Sequence, residues 1–464
     1  MRMSPTDGLN RRAFLRNAGM TALAGAVSAR ASAPRAASAA PSAAGTGKYD
    51  FDTPYNRFGT ECVKYDQPIR TFGKDSIQVG MGIADMDFRA APCIGKALAD
   101  RCQHENWGYL DMPASFTQSI IAWNKRRYGI DINPDLLALS NGVHPGIIAA
   151  LKAFSPPGSK VLLLTPAYDG FYSDLTFCQV KPEECLMRQG ADGRYSIDFD
   201  EFERHISHDT NTFILCNPHN PTGNMWSAAD LTRLGEICLR RRVVVLADEI
   251  HCDFANKGQK YTPFASLPNK DIVRNSITFK AASKSFSVSA MKCAWFFSDN
   301  PDYFARVKAH NHTDVSTLSV IANRAALTEG EDWLNQCVEY IDGNHDFTES
   351  FIKANVPLVK YYKPQGTYLA WIDISQVADR IGATRQAEEA NRTNTTGKPV
   401  TAEQIVQKYL VTHAKIHLNP GTNYGYGGAG HMRMNIATSR KMLELALNNL
   451  ATALKDLRTS NSVL

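Results

Sequence analysis

Three short apolar runs, each followed at once by polar or turn residues, constrain the fold of this chain more than any other feature. Helical patterns alternate with these runs from residue 94 onward, which predicts a doubly wound α/β domain with a mostly parallel sheet. Because ligands bind such sheets outside the carboxyl ends of the strands, the three strand ends should meet at one site. The runs and the residues that end them are 161–164 before Thr165-Pro166, 213–216 before Asn217-Pro218, and 243–247 before Asp248-Glu249.

The pattern of elements predicts two domains in the 464 residues. Covering helices are predicted at 200–205, 228–241 and 303–310. Near residue 336 the pattern becomes α+β, with a long helix and then a strand at 368–373. The polar residues 385–400 lack hydrophobic periodicity and are interpreted as a surface insertion. The predicted parts are a signal peptide with linker at 1–47, an N-terminal segment joining the small domain at 48–93, a large domain at 94–336 and a small C-terminal domain at 337–464.

The first 47 residues have the order of an export signal followed by a linker. Arg11-Arg12 precedes a weakly apolar run at 18–27, and the small residues Ala31-Ser32-Ala33 offer a cleavage site. The paired arginine resembles the twin-arginine (Tat) type of signal, whose pathway carries folded proteins. We therefore predict export by the Tat pathway, to the periplasm or by secretion, with a cofactor loaded beforehand. A disordered basic tail is the alternative.

The distribution of charge argues against a nucleic-acid-binding surface. The formal charge is +5, and the first 40 residues carry six arginines against one aspartate, so the remainder is near neutral. No later segment reaches the roughly 18 apolar residues that a transmembrane helix needs, and no membrane span is predicted. The ten cysteines are scattered without a C-x-x-C pair, so most are interpreted as small buried hydrophobic residues.

Four features follow one another in an order that is specific, although each is weak alone. They are an Asn-Pro-His-Asn-Pro-Thr-Gly run at 217–223, Asp248, Lys284 in a Ser-Lys-Ser-Phe string, and Arg433. The set suits pyridoxal 5′-phosphate (PLP), since a desolvated lysine can lose its proton and form a Schiff base with it. A buried carboxylate such as Asp248 keeps the pyridine nitrogen protonated, which makes PLP an electron sink. Asn220 can donate to its phenolate oxygen.

Other residues are predicted to hold the remaining parts of the cofactor and the substrate. Tyr168 is placed to stack on the pyridine ring. Val143 and His144 follow Gly142 at the start of a helix, where backbone N–H groups can bind the phosphate. Arg433 would bind the α-carboxylate of a small amino-acid substrate with both arms of its guanidinium group.

This set resembles the fold-type I PLP enzymes of the aspartate aminotransferase superfamily (class I/II). It is most similar to the branch of cystathionine β-lyases and cysteine-S-conjugate β-lyases, over about residues 49–457. Two strings are typical of that branch, Ile-Ala-Asp-Met-Asp-Phe at 83–88 and Asp-Glu-Ile-His at 248–251. The resemblance implies an α/β fold with a large, mostly parallel seven-stranded sheet domain and a smaller α+β domain.

The resemblance also implies roles for individual residues. Lys284 would carry the cofactor and remove the Cα proton, with Tyr168 beside it in the catalytic set. His251 would act with Asn220 on the phenolate oxygen. Tyr109 would reach the phosphate of a neighbouring subunit, which implies a homodimer with active sites at the interface. Two further cofactor-binding residues are Ser283 and Lys292, the latter standing where the superfamily often has a phosphate-binding arginine.

Three functions follow from these patterns. The first is a C–S β-lyase that eliminates a thiol from cystathionine or cysteine S-conjugates and gives pyruvate and ammonia. The second is an aminotransferase, which would use every residue named so far. The third is a non-enzymatic binding role, since some relatives of this branch bind a transcriptional regulator. Export argues against a cytoplasmic partner, and the complete set of Lys284, Asp248 and Arg433 argues for catalysis.

Overall fold

A computed structural model describes residues 47–395 and 397–458 of the chain. The predicted leader therefore lies outside the described residues, apart from its last position. The strands are β1 Val79–Gly80, β2 Leu137–Ser140, β3 Lys160–Thr165, β4 Lys181–Leu186, β5 Arg188–Gln189, β6 Tyr195–Ser196, β7 Thr210–Cys216, β8 Val244–Asp248, β9 Ser276–Lys280, β10 Ala294–Phe297, β11 Leu369–Asp373, β12 Ile416–His417, β13 Asn419–Pro420 and β14 His431–Asn435.

Helices connect and cover these strands, and within the described ranges none is long and apolar enough to cross a bilayer. They are α1 Asp66–Phe72, α2 Pro92–Cys102, α3 Ala114–Tyr128, α4 Val143–Phe154, α5 Asp169–Phe177, α6 Phe199–Arg204, α7 Ala228–Arg241, α8 Lys270–Arg274, α9 Ala282–Ser285, α10 Pro301–His310, α11 Thr317–Glu329, α12 Glu331–Asn355, α13 Ser375–Arg380, α14 Ala383–Thr393, α15 Ala402–His413 and α16 Arg440–Ala453.

A seven-stranded sheet in the order β2-β10-β9-β8-β7-β3-β4 forms the centre of the fold. Its strands are parallel from β9 through β4, and β10 runs antiparallel to both of its neighbours. This confirms the predicted α/β fold with a mostly parallel sheet. The three apolar runs of the sequence form β3, β7 and β8, and β7 lies between the other two in the sheet.

Side chains of these strands alternate between two apolar layers, because successive residues of a strand point to opposite faces. In β3, Val161 and Leu163 pack with helix α4, whereas Leu162 and Leu164 pack with Phe202 of α6 on the other face. Both faces are buried, as a parallel sheet covered by helices requires. The predicted helices at 200–205, 228–241 and 303–310 correspond to α6, α7 and α10.

The C-terminal part contains a three-stranded antiparallel sheet in the order β11-β14-β13. Its apolar cluster also takes in Val79 and Met81, and β1 pairs with β12, so residues near 80 pack with the C-terminal elements. The predicted boundary between residues 336 and 337 lies inside the continuous helix α12.

The polar residues 385–400, interpreted from the sequence as a surface insertion without hydrophobic periodicity, contain most of a helix. Helix α14 begins at Ala383 and continues to Thr393, and it buries Ala383 and Ala387, which lie one helical turn apart. Most residues of this helix are polar or charged, so its few apolar positions are easily overlooked in a segment of low overall hydrophobicity. The other residues of this helix are mostly polar and exposed, as the surface interpretation expects.

The Asp85-Met86-Asp87 stretch is held by three side chains of the N-terminal segment. Asp87 accepts hydrogen bonds from Tyr65 Oη at 2.9 Å and pairs with Lys64 Nζ at 2.9 Å and Arg57 Nη1 at 3.1 Å. The side chain of Lys64 is fully buried and that of Asp87 is 4% exposed. Neither charge can be satisfied by water, so the stability of this segment depends on the pair being complete.

We expect Asp87→Ala to lower the free energy of unfolding by about 3–5 kcal/mol, because it leaves the buried Lys64 ammonium without its counter-charge. The midpoint of urea unfolding measures the loss. Asp100→Ala is the matched control, since Asp100 pairs with Lys96 on the surface and both side chains are more than half exposed. Equal midpoints for the two variants would contradict the prediction.

Candidate active site

The carboxyl ends of β3, β7 and β8 open into one cavity of about 430 Å³, as the sequence predicts. Asp248 is the last residue of β8, while Asn220 and Tyr168 follow the ends of β7 and β3. Lys284, from the short helix α9, lines the same cavity. The predicted site residues in its walls are Val143, His144, Tyr168, Asn220, Asp248, His251, Ser283, Lys284 and Lys292.

The Lys284 amine is held at the cavity by one backbone oxygen. Its Nζ donates a hydrogen bond to the carbonyl of Ala84 at 2.8 Å. Burial lowers the pKa of Lys284 to about 8, and the nearby Arg433 cation acts in the same direction. At neutral pH a fraction on the order of one tenth of these amines is unprotonated, far more than for a surface lysine. Lys284 is therefore suited to act as a nucleophile or a base.

Asp248 is the buried acid of the site, with 4% of its surface exposed. Burial raises the pKa of its carboxyl group to about 6, although the Ile250 N–H donates to Oδ1 at 3.1 Å and favours the charged form. A carboxylate with so few partners is suited to bind a cationic N–H group of a ligand.

Asn220 and Arg433 contact each other, which the sequence did not predict. Arg433 Nη1 donates to Asn220 Oδ1 at 3.1 Å, and Nη2 donates to the carbonyl of Gly82 at 2.8 Å. Arg433 is 3% exposed, and its Nε has no hydrogen-bond partner in the described part of the chain. This contact fixes the amide so that its NH₂ group, rather than its oxygen, is left for a ligand. The role of Arg433 in binding a carboxylate stays a prediction.

His251 is neutral in this site. Burial lowers the pKa of its imidazole well below the ordinary value, and Lys284 and Arg433 add to the effect. Its ring packs edge-on against Tyr368, with 5.5 Å between the ring centroids. His251 Nδ1 is buried without a hydrogen-bond partner among the described residues. A buried imidazole nitrogen of this kind is an available hydrogen-bonding group for a bound molecule.

The start of helix α4 forms the anion-binding end of the cavity. Gly142 precedes the helix with φ of 148°, in a region that glycine adopts more readily than other residues. The backbone N–H groups of Val143 and His144 have no acceptor within the described chain, and Pro145 has no N–H to offer. Ser283 and the exposed Lys292 line the same cavity. Two free N–H groups at a helix N-terminus beside a lysine are suited to a phosphate.

The side chain of His144 has its own partners, which the sequence did not reveal. Nδ1 lies 2.6 Å from Asp174 Oδ2, and Nε2 lies 3.3 Å from the hydroxyl of Tyr168. Burial opposes a charge on the imidazole, but the hydrogen bond with Asp174 outweighs it and raises the pKa of His144. Tyr168 keeps its proton, because burial raises the pKa of its hydroxyl.

Tyr109 does not reach this cavity. It is fully exposed and lines a separate groove of about 770 Å³ together with Trp107, Leu137 and Lys308. The structure thus brings together every predicted site residue except Tyr109. Arg433 belongs to the group because it donates a hydrogen bond to Asn220, which lines the cavity.

Sequence reasoning missed several groups that shape the site. The carbonyl of Ala84 lies in the noticed string at 83–88, but a backbone oxygen has no signature of its own. Asp174 lies in the middle of α5 without any motif. Ser289 and Cys293 line the cavity and also belong to no pattern, whereas Cys216 is the last residue of the apolar run at 213–216.

Comparisons with known proteins agree with this geometry. A sequence profile of the family aminotransferase class I and II matches residues 76–450. Cystathionine beta-lyase PatB of Bacillus subtilis is 34% identical over 414 residues, covering 87% of this chain and 100% of that protein. Cystalysin from Treponema denticola, a structure that contains pyridoxal 5′-phosphate, is similar with a TM-score of 0.78 and 27% identity, over 88% of this chain and 100% of that one. The PLP-bound C–S lyase from Staphylococcus hominis is similar with a TM-score of 0.75 and 26% identity, over 88% of this chain and 99% of that one.

Proposed function

Because this chain belongs to the aminotransferase class I and II family, we propose that it is a PLP-dependent carbon–sulfur β-lyase. Its reaction eliminates a thiol from cystathionine or another cysteine S-conjugate and gives pyruvate and ammonia. The observation that carries the proposal is the match to a cystathionine β-lyase over that protein's whole length, joined to a cavity lined by Lys284 and Asp248.

The residues of the cavity fit PLP. Lys284 would hold it covalently, Asp248 would bind its pyridine nitrogen, and the N–H groups of Val143 and His144 would bind its phosphate. The unpaired Nδ1 of His251 is a further buried polar atom available to it. When bound, PLP supplies an electron sink that stabilises negative charge at Cα of an amino acid.

The protein's own groups supply positioning and proton transfer. Arg433 would hold the substrate carboxylate, since its guanidinium is buried and keeps one N–H unpaired. The Lys284 amine, with its lowered pKa, would take the proton from Cα. Arg433 is buried and Lys284 is largely so, and this low exposure to solvent strengthens their charged contacts.

Cystathionine or S-alkylcysteine, supplied without any 2-oxo acid, should release pyruvate and thiol in stoichiometric amounts. The measurement is a coupled pyruvate assay beside a thiol reagent. An aminotransferase is the second candidate, favoured by the family profile, and it would use the same cavity residues. Amino-group transfer on addition of 2-oxoglutarate, with no pyruvate in its absence, would replace the lyase by the aminotransferase.

Lys284→Ala should abolish the visible absorbance of bound cofactor, because it removes the amine that would form the Schiff base. Among the described residues that line the cavity, Lys292 is the remaining lysine. Lys292→Ala is the matched control: it removes a lysine from the same cavity and should keep the band with weakened cofactor affinity. Persistence of the band in Lys284→Ala, together with its loss in Lys292→Ala, would move the attachment point to Lys292.

We further propose that the enzyme is a homodimer in which Tyr109 serves the neighbouring subunit. The exposure of Tyr109 and Trp107 beside a wide groove supports this arrangement, since monomeric surfaces seldom expose aromatic residues together.

Subunit mixing tests the dimer. In a hybrid of Lys284→Ala and Tyr109→Ala subunits, one of the two sites would have both residues intact. Activity of the mixture should therefore exceed that of either parent. A mixture no more active than its parents, although hybrids have formed, would contradict a role for Tyr109 across the interface.

We also propose that residues 1–47 direct export by the twin-arginine pathway, so that the enzyme acts outside the cytoplasm. The support is the order of paired arginines, weakly apolar run and small residues in the sequence.

A further inference from the structure

His144 lies between the buried cavity and a second, open cleft on the protein surface. The cleft has a volume of about 490 Å³, and both His144 and Tyr168 line it as well as the cavity. The His144 side chain is 38% exposed, whereas its partner Asp174 is 6% exposed. Solvent can therefore reach the imidazole from outside, while its Nε2 contacts the hydroxyl of Tyr168, a residue that lines the cavity.

The arrangement requires a close fit around the two rings. A β-carbon at Gly170 would collide with both the His144 ring and the Tyr168 ring. The centroids of these rings are 5.4 Å apart, and Asp174 holds His144 from the following turn of α5. Glycine at position 170 is thus needed for the chain of contacts from Asp174 through His144 to Tyr168.

The protonation state of His144 decides which way the Tyr168 hydroxyl proton points. The Asp174 carboxylate accepts a hydrogen bond, so Nδ1 carries a proton. When Nε2 is unprotonated, it accepts the Tyr168 O–H. When Nε2 is protonated, it donates to the Tyr168 oxygen, and the hydroxyl proton is free to point into the cavity.

We propose that Asp174 and His144 are positioning residues that aim the Tyr168 proton at the departing thiolate and then replace it from solvent. This inference rests on the proposed lyase function. As the Cβ–S bond breaks, its electron pair stays on sulfur, and the Tyr168 hydroxyl protonates that sulfur. The phenolate takes a proton from His144 Nε2, and the neutral imidazole takes one from water in the cleft. Lys284 holds the proton from Cα, so the two proton transfers use separate groups.

The charges around His144 favour this state. Asp174 faces it from α5 and Asp248 from the end of β8, while Lys284 of α9 is the opposing cation. Asp169 at the start of α5 lines the same cleft. Tyr168 is the remaining titratable neighbour, and it stays protonated because burial raises its pKa. Two carboxylates against one amine, with the hydrogen bond to Asp174, stabilise the imidazolium form.

Leaving groups that differ in their need for a proton test the proposal in the holoenzyme. A thiolate from S-ethylcysteine must be protonated, whereas chloride from 3-chloroalanine need not be. We expect His144→Gln to slow thiol release by about tenfold or more, with KM little changed. Its chloride release should fall much less, so that the ratio of thiol release to chloride release drops by about tenfold, since no general acid acts on chloride. Similar losses with both substrates, or no loss with either, would overturn the proposal.

The control variant is His205→Gln, which changes the same residue type in a His–carboxylate pair with Glu183 away from the cavity. It should leave both rates unchanged. A loss of thiol release in this variant equal to that of His144→Gln would also overturn the proposal, since the effect would then be one of stability.

Histidine-selective NMR of the holoenzyme gives a readout that does not depend on activity. The pKa of His144 should lie above that of an ordinary imidazole. Asp174→Asn should lower the pKa of His144, because it removes the charge that favours the imidazolium. In the same variant, the rate of thiol release should begin to fall at a lower pH on the alkaline side of its pH profile, because the protonated form of His144 is lost earlier. An unchanged His144 titration in Asp174→Asn would refute the coupling. If the wild type releases neither thiol nor chloride but the titrations behave as expected, the lyase function fails and the Asp174–His144 pair stands.

Discussion

The carbonyl oxygen of Ala84 accepts hydrogen bonds from two side chains far apart in the sequence, Lys284 Nζ at 2.8 Å and Tyr368 Oη at 2.9 Å. Residues 83–85 are held in turn by Asn435, whose Nδ2 donates to the carbonyls of Ile83 and Asp85. The N-terminal segment, the large sheet and the small C-terminal sheet therefore meet at one short stretch of backbone. A shift of that stretch would move the lysine on which the chemistry depends.

The ion pairs around Asp87 explain how the stretch keeps its place. Lys64 and Asp87 are both buried, so a displaced chain would leave charges without water or partners, at a cost of several kcal/mol. Ser287, three residues after Lys284, adds a direct link, since its hydroxyl accepts a hydrogen bond from the Met86 N–H at 2.9 Å. Both sides of the Lys284–Ala84 hydrogen bond are thus fixed by neighbouring contacts.

The cavity contains buried ionisable groups, chiefly Lys284, Asp248 and Arg433, that form no direct ion pair with one another in the described residues. Burial lowers the pKa of Lys284 and raises that of Asp248, so both groups are shifted toward their neutral forms. Arg433 adds a cation that acts on Lys284 and His251 alike. Such a site suits a cofactor carrying a phosphate, a phenolate and a pyridine nitrogen, because free N–H groups at the start of α4, the Asn220 amide and the Asp248 carboxylate would bind these three groups.

The sequence alone was sufficient for the mostly parallel sheet, for the three strand ends and for the set of Lys284, Asp248 and Asn220, since a strand's apolar run and its polar end are local properties of the chain. Helix α14 was missed because its composition is strongly polar and only the small Ala383 and Ala387 mark its buried face. The Ala84 carbonyl, the Asn220–Arg433 contact and the Asp174–His144–Tyr168 chain were decided only by the tertiary structure. Each joins residues through space, and neither a backbone oxygen nor a lone aspartate within a helix leaves a pattern in the sequence that predicts its partner.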